Sequence, residues 1–410
     1  MSYRYIIATK GFRTMNERDL PLSGIKVVEF THMVMGPTAG LILADLGASV
    51  VKVEPLKGDN TRRLKGSGAG YFSMYNRNKR SICLDLKSAR GKEAAIRLIK
   101  EADVLIENFR PGAMIKLGFG YDELSTINPG LIYCSLKGFL SGPYEKRTAL
   151  DEVTQMMGGL AYMTGLPDRP LRAGTSVIDI TGGMFGVIAI LAALEQRHRT
   201  GKGQLVTSSL FETTAFLVGQ HMAQQGVTGT APPPMSIRTS AWSIYEIFES
   251  AEKEKIFVGV VSDSLWKLFC NEFELTEFAN DSSLDTNNQR VDQKQRVLPV
   301  IRAMFAKMRK EEMIERLERA GVPFAPVNRP QDLTDDPHMN AAGALVEVTL
   351  SEGENAGKKI KLPAIPVEMD HQKFGLHRDL PPLGSDSLEI LREVGYSPEE
   401  IQSLLDYRFT

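Results

Sequence analysis

The chain has 410 residues, 42% of them hydrophobic and 24% charged, with 49 Lys plus Arg against 50 Asp plus Glu. At ~100–200 residues per domain that is two or three domains, each long enough to bury a core. A net charge of −1 gives no overall basis for binding nucleic acid or a membrane surface, and the apolar content excludes bulk disorder. The longest apolar-or-glycine run, Gly182–Leu194, falls short of the ~20 residues of a bilayer span. The Tyr5-Ile6-Ile7-Ala8 stretch before Lys10 and Arg13 is too short for a secretory signal, and the first fourteen residues read as a loose extension. Three scattered cysteines (Cys83, Cys134, Cys270) suit a reducing cytoplasm and offer no disulfide framework. No Cys-x-x-Cys or His-Glu-x-x-His pair is present, so no metal site is expected.

The first half alternates short Val- and Ile-rich runs with helical segments. Ile25–Phe30 reads as a strand and Gly36–Leu46 as a helix opened by Pro37. Ser49–Glu54 and Ser81–Leu86 are the next strands, and a charged amphipathic helix runs from Ser88 to about Glu101. Val104–Glu107 and Leu131–Ser135 continue the pattern, which predicts an α/β fold with a parallel sheet covered on both faces. Thr200–Gln204 reads as a polar turn and Ser208–Met222 as a helix, followed by a linker at Gly226–Pro234. Beyond it come a strand at Lys255–Val261 and amphipathic helices at Trp266–Phe273 and Val297–Arg319, the latter broken near Arg309. Asn280–Asn288 reads as a surface loop and Gly321–Pro330 as a second linker. Near the end, Ser397 and Glu400 form a capping box around Pro398.

Common fingerprints fail. A dinucleotide site would need G-x-G-x-x-G after the first strand, yet the turn reads Thr31-His32-Met33-Val34-Met35-Gly36-Pro37, although Glu54 stands where an acid belongs. There is no phosphate-binding P-loop and no G-x-S-x-G elbow.

Three stretches carry chemistry. Lys57, Arg62 and Arg63 with Asn76–Arg80 form a basic cluster that either holds phosphates or is a solvated face. Glu107-Asn108-Phe109-Arg110-Pro111-Gly112-Ala113 follows a strand, where ligands bind in parallel sheets, and Lys116 is near; an ordinary tight turn reads the same. Finally, Asp179 lies between Arg172 and Gly182-Gly183, before the most apolar helix. It is either that helix's N-terminal cap or, in a dry pocket, a nucleophile toward an activated acyl group. In the second case the glycines would leave room for a bulky ligand and nearby amides would steady an oxyanion.

Taken in order, these residues resemble the family III CoA-transferases, which include formyl-CoA transferase, carnitine CoA-transferase and the 2-methylacyl-CoA racemases. The resemblance runs from about Leu20 to Asp406. Its carriers are Pro21–Phe30, Gly36-Pro37, Ala44–Ala48, the stretch from Glu107 to Gly112, Asn128-Pro129, Leu131–Ser135, Arg199–Gln204 and Pro381–Gly384. It implies a Rossmann-like large domain from both chain ends (1–224 and 331–410), a smaller inserted α+β domain (225–330), and an interlocked homodimer.

The resemblance further implies that Asp179 is the catalytic aspartate, forming an acyl anhydride and then a CoA thioester, with acyl-CoA and carboxylic acid as substrates and no tightly bound cofactor. By position it assigns CoA contacts to Val34, Met35, Lys57, Leu84, Asp85, Leu86, Lys87, Asn108, Phe109, Arg110 and Lys116. Arg147, Thr148, Ala149 and Leu150 match a substrate-side loop, and Asp151 a second acidic position. Departures narrow the reading. Val34 replaces a glutamine of formyl-CoA transferases, and Pro234–Trp242 replaces their glycine-rich loop, which argues against oxalate or formate. Ala149-Leu150-Asp151 lacks the histidine of the racemases' Gly-His-Asp triplet, so a transferase is expected, with a racemase or a silent CoA-binding protein as alternatives. Arg172 and Arg238 are candidates to grip a second carboxylate, pointing to a short dicarboxylic acid such as succinate, mesaconate, itaconate or glutarate. His32 either touches substrate or is a satisfied core histidine.

Overall fold

The structure is a computed structural model describing residues 20–238, 240–341 and 343–406. The extension expected over the first fourteen residues lies outside them. By contacts, one compact unit comprises the described residues up to Ser236 with those from Pro337 on, and Ile237–Asp336 form another.

The first unit is built on a six-stranded, all-parallel sheet: β1 (Lys26–Phe30), β2 (Ser49–Glu54), β3 (Lys79–Cys83), β4 (Val104–Glu107), β5 (Ile132–Lys137) and β6 (Gln204–Ser209). Their order is β3-β2-β1-β4-β5-β6, so chain direction across the sheet reverses between β1 and β4. In such sheets the crevice outside the carboxyl ends at that switch point is where ligands bind. Near-continuous Val, Ile and Leu runs form the central strands because both faces are covered.

The helices of this unit before residue 230 are α1 (Met35–Asp45), α2 (Tyr71–Tyr75), α3 (Ala89–Lys100), α4 (Ala113–Leu117), α5 (Tyr121–Ile127), α6 (Asp151–Met157), α7 (Leu160–Thr164), α8 (Val177–Thr200) and α9 (Leu210–Thr228). Helices α1 and α8 pack over one face with Leu43, Ile178 and Ile190, while α3 and residues Ile390–Ile401 of the C-terminal stretch cover the other. Ser88 starts α3 by accepting the Gly91 amide at 3.0 Å. By length and composition α8 is apolar enough to cross a membrane; here it lies against α1, β5 and β6.

Several sequence expectations are corrected. Strand β3 starts at Lys79, two residues earlier than expected, because Lys79 is fully buried against Glu29. The expected turn at Thr200–Gln204 gives way at Gln204 to strand β6, whose outer half is solvated. Gly226 belongs to α9, which continues to Thr228 and ends at Gly229 with φ +72°. The Asn280–Asn288 loop contains a 3₁₀ turn (Ser282–Leu284) and the start of a helix.

In the second unit, β7 (Ile244–Glu249), β8 (Lys255–Val260) and β9 (Phe324–Pro326) form an antiparallel sheet. Its core joins Trp266, Phe269, Ile301, Phe305 and Leu317, and the helix break near Arg309 falls between Phe305 and Lys310.

The basic cluster is neither a solvated face nor a phosphate cradle for most of its length. Arg77 bonds Asp45 through two nitrogens, and Arg80 pairs with Glu393. Lys79 Nζ meets both Glu29 oxygens at 2.9 and 3.0 Å and the Pro37 carbonyl at 3.0 Å. Burial lowers the Lys79 pKa to about 8. Beside it, Lys52 bonds the Thr31 carbonyl at 2.9 Å and Asp59 at 3.0 Å, and Glu54 receives Arg62 through two nitrogens. Gly40 makes room for this network, since a Cβ there would collide with the Glu29 carboxylate. Gly40→Ala is therefore expected to destabilise the fold by about 3 kcal/mol, the scale of breaking a buried ion pair, read as a lowered urea midpoint.

Candidate active site

Two features meet at the switch point. The first is the β1–α1 turn. Met33 adopts φ +63°, a strained conformation for a non-glycine residue, and the turn is braced on both sides. The Asn108 amide accepts the His32 N–H at 3.0 Å and donates to the His32 carbonyl at 2.8 Å, while Lys52 holds the preceding carbonyl. Glu107, which ends β4, accepts the Phe109 N–H, the Ser135 hydroxyl and Lys137, and Lys137 also donates to the Phe109 carbonyl. Lys137 was missed in the sequence; the signal was a lone lysine closing an apolar strand.

A cavity of about 830 Å³ opens beside this turn. It gathers Lys57, Leu84, Asp85, Leu86, Lys87 and Phe109 among the expected CoA contacts, with His32 and Met33 on its wall. The His32 ring stacks on Phe109 with centroids 5.6 Å apart and is exposed on its outer side, so it is no core histidine. Desolvation lowers its pKa, with Lys52 and Arg110 adding to the effect against Asp59. Asn108 acts as the clamp beneath. Arg110 and Lys116 are exposed outside the cavity lining. The Val34 and Met35 side chains are buried in the core, which leaves only their backbone to meet a ligand.

The second feature is the start of α8. Asp151, the first residue of α6, accepts the Ile178 N–H at 2.8 Å and the Asp179 N–H at 3.1 Å through one oxygen. Its other oxygen accepts the Gln155 amide at 2.6 Å, and Gln155 in turn accepts the Ala173 N–H. Asp151 thus does the capping that sequence alone left open for Asp179, and Ser176 at the N-cap position makes no side-chain cap bond. The half-buried Asp179 carboxyl has no hydrogen-bond partner among the described residues. Burial raises its pKa to about 7, the Asp151 charge adding and Arg172 opposing.

The two features adjoin. A Cβ on Gly183 would lie 2.6 Å from the Met35 carbonyl, and one on Gly182 would lie 2.7 Å from Met35 Cε. These glycines therefore seat α8 on α1 and make no room for a ligand, contrary to expectation. Arg172 lies 3.7 Å from both Asp151 and Glu152. Leu150 and Thr148 are exposed, Ala149 packs on Gly138, and Arg147 sits over Tyr144 at 4.8 Å. Arg238 belongs to the second unit. Among the described residues no three His, Cys, Asp or Glu side chains come together as a metal set.

Stability separates the two aspartates. Asp151→Ala should cost about 1–2 kcal/mol by stripping two amides of their cap. Asp179→Asn should cost nothing and raise the thermal midpoint at high pH. A carboxyl whose folded pKa is raised weakens folding progressively from about pH 4 to about pH 7, so the gain should be absent at pH 4 and full above pH 7.

Known proteins agree on the family. The description "CoA-transferase family III" matches residues 22–387. A succinate–glutarate CoA-transferase of Agrobacterium fabrum is 33% identical, covering 93% of this chain and 97% of its own. An acetyl-CoA:oxalate CoA-transferase of Acetobacter aceti is 34% identical over 80% of this chain and 86% of its own. The crystal structure of a CAIB/BAIF family protein from Brucella suis superposes with a TM-score of 0.79 at 32% identity, covering 92% of this chain and 99% of that one. The parallel sheet, the carboxyl-end cavity and the uncapped aspartate thus belong to a chain of CoA-transferase family III.

Proposed function

We propose that the protein moves CoA from an acyl-CoA donor to a short dicarboxylic acid, with Asp179 as covalent carrier. The observation that carries this reading is the state of Asp179: relieved of capping by Asp151, desolvated, and beside the turn that walls the cavity. The Asp179 carboxylate attacks the donor thioester and the C–S bond breaks, giving an aspartyl–acyl anhydride and CoA thiolate. The thiolate attacks the aspartyl carbonyl, the donor acid departs as carboxylate, and an aspartyl-CoA thioester remains. The acceptor carboxylate attacks that ester, expelling thiolate and forming a second anhydride. Attack of the thiolate on the acceptor's acyl carbon makes the new CoA ester and frees Asp179. One thioester replaces another, so no ATP is consumed.

In this reading CoA lies in the cavity, with Lys57 and Lys87 toward its phosphates. Arg172 takes the acceptor's second carboxylate: its guanidinium is partly exposed and its ion pairs are long, so a substrate carboxylate can claim the bidentate face. The relative that exchanges succinate and glutarate supports that class. Leu150 offers a hydrocarbon where a racemase needs a base, which favours transfer.

We extend the proposal to a homodimer. Met184, Ile188 and Leu191 of α8 and Phe216, Met222 and Val227 of α9 are exposed in the single chain, and Phe185 contacts Phe216 edge-on. So much exposed hydrocarbon on packed helices fits a surface covered by a second copy. A cytoplasmic setting completes the reading.

Mass spectrometry of CoA esters formed in deuterated buffer, from succinyl-CoA or acetyl-CoA with a panel of acids, tests the activity. New esters without solvent deuterium are expected; deuterium at the α-carbon without exchange would make the protein a racemase. The acid limb of kcat/KM should fall below about pH 7, because a protonated Asp179 cannot attack. Arg172→Ala should raise KM about tenfold or more for dicarboxylates and spare monocarboxylates, on the scale of a lost charged hydrogen bond. Ile188→Asp with Phe216→Asp should shift the light-scattering mass from dimer to monomer.

A further inference from the structure

Helix α2 presents two phenols to the first turn of α8. Tyr71 Oη lies 3.5 Å from Ser176 Oγ, the residue that opens α8. Tyr75, four residues on and hence on the same helix face, is 9% exposed. It shares a buried cluster with Val34 and Leu41, from α1 and its entry turn, and Ile180, the neighbour of Asp179, packs against that cluster. A ring held on several sides gives its hydroxyl a fixed place. A buried tyrosine ordinarily finds a partner for that hydroxyl. Tyr75 has none among the described residues, and neither has the Asp179 carboxyl. Phenylalanine would fill the same space without an unpaired polar atom.

Tyr75 and Asp179 are thus neighbours through Ile180 and do not bond each other, so each keeps its hydrogen-bonding capacity for a bound group. The charge of Asp179 is felt at the phenol: burial first, then that charge, push Tyr75 up to about 12. It keeps its proton across the working range and is a donor throughout.

We propose that the Tyr75 hydroxyl donates a hydrogen bond to the carbonyl oxygen of the acyl group carried on Asp179, holding the negative charge that develops there at each tetrahedral stage. This rests on the aspartyl-carrier reading above. Tyr75 gives up no proton; bonds break and form only among Asp179, the acyl carbon and the CoA sulfur. Preorganised donors of this kind act where charge develops in the transition state.

The test is Tyr75→Phe, which keeps the ring and removes one oxygen. Steady-state kinetics, the thermal midpoint and the rate at which the Asp179 peptide gains the mass of an acyl or CoA adduct are read on the full-length protein. The expected result is a fall in kcat of about 10²-fold, the scale of one lost oxyanion donor, with donor KM within twofold, an unchanged midpoint and slower adduct formation. Wild-type kcat and adduct rate in the variant, with the adduct still on Asp179, would overturn the inference and leave the carrier reading standing. A loss of kcat together with the midpoint would overturn it too, assigning Tyr75 to packing. Transfer by the wild type with no adduct on the Asp179 peptide would remove the carrier reading and this inference with it.

Discussion

The Asp151 carboxylate supplies hydrogen bonds that α8 would otherwise draw from its own first turn. A helix start leaves amides in need of acceptors, and an acid there is ordinarily consumed by that need. Because Asp151 arrives from α6 and takes the Ile178 and Asp179 amides, the Asp179 side chain is left unengaged in a partly dry place. Burial first, and then the charge of the same carboxylate, oppose its ionisation, so the contact that frees the group also adds to the rise in its pKa. Gln155, which donates to the other Asp151 oxygen, sets the geometry one step further out.

Beneath the cavity at the β1–α1 turn lies a set of buried charges whose value is positional. Lys52 ties Asp59 and the Thr31 carbonyl, both in the cavity wall, while Lys79 and Glu29 lock β3 to β1 under α1. Buried ion pairs gain little over well-packed hydrocarbon, since desolvation offsets their attraction. Fixing a turn that carries a left-handed Met33 is a task hydrocarbon cannot perform. Polar groups of definite direction do it, and Asn108 completes the brace across the switch point.

Much of the sheet was legible because its signals are local. Valine runs, Pro37 and Ser88 mark β1, α1, β2 and α3 within a few residues. The misreadings share a cause: partners distant in sequence. Arg77, Lys79 and Arg80 look like a solvated basic cluster until Asp45, Glu29 and Glu393 are brought to them. Asp179 could not be told from a cap, since its substitute sits 28 residues upstream. Gly182 and Gly183 were given to a ligand when the occupant is Met35 of α1. By contrast, the segment Leu84–Lys87 with Lys57 and Phe109 does converge on one cavity, although only motif order, not any single stretch, pointed there.

Leu150 and Asp151 are adjacent but differently constrained. Asp151 is buried and committed to three hydrogen bonds, whereas the Leu150 side chain is 63% exposed and bonds to nothing. The backbone that delivers the fixed acid therefore also delivers a freely variable side chain next to it. Selection can change the size and polarity of the side chain at position 150 while the support that Asp151 gives α8 is kept. A scaffold that separates the adjustable from the indispensable by one peptide bond is well placed to diversify without first losing its chemistry.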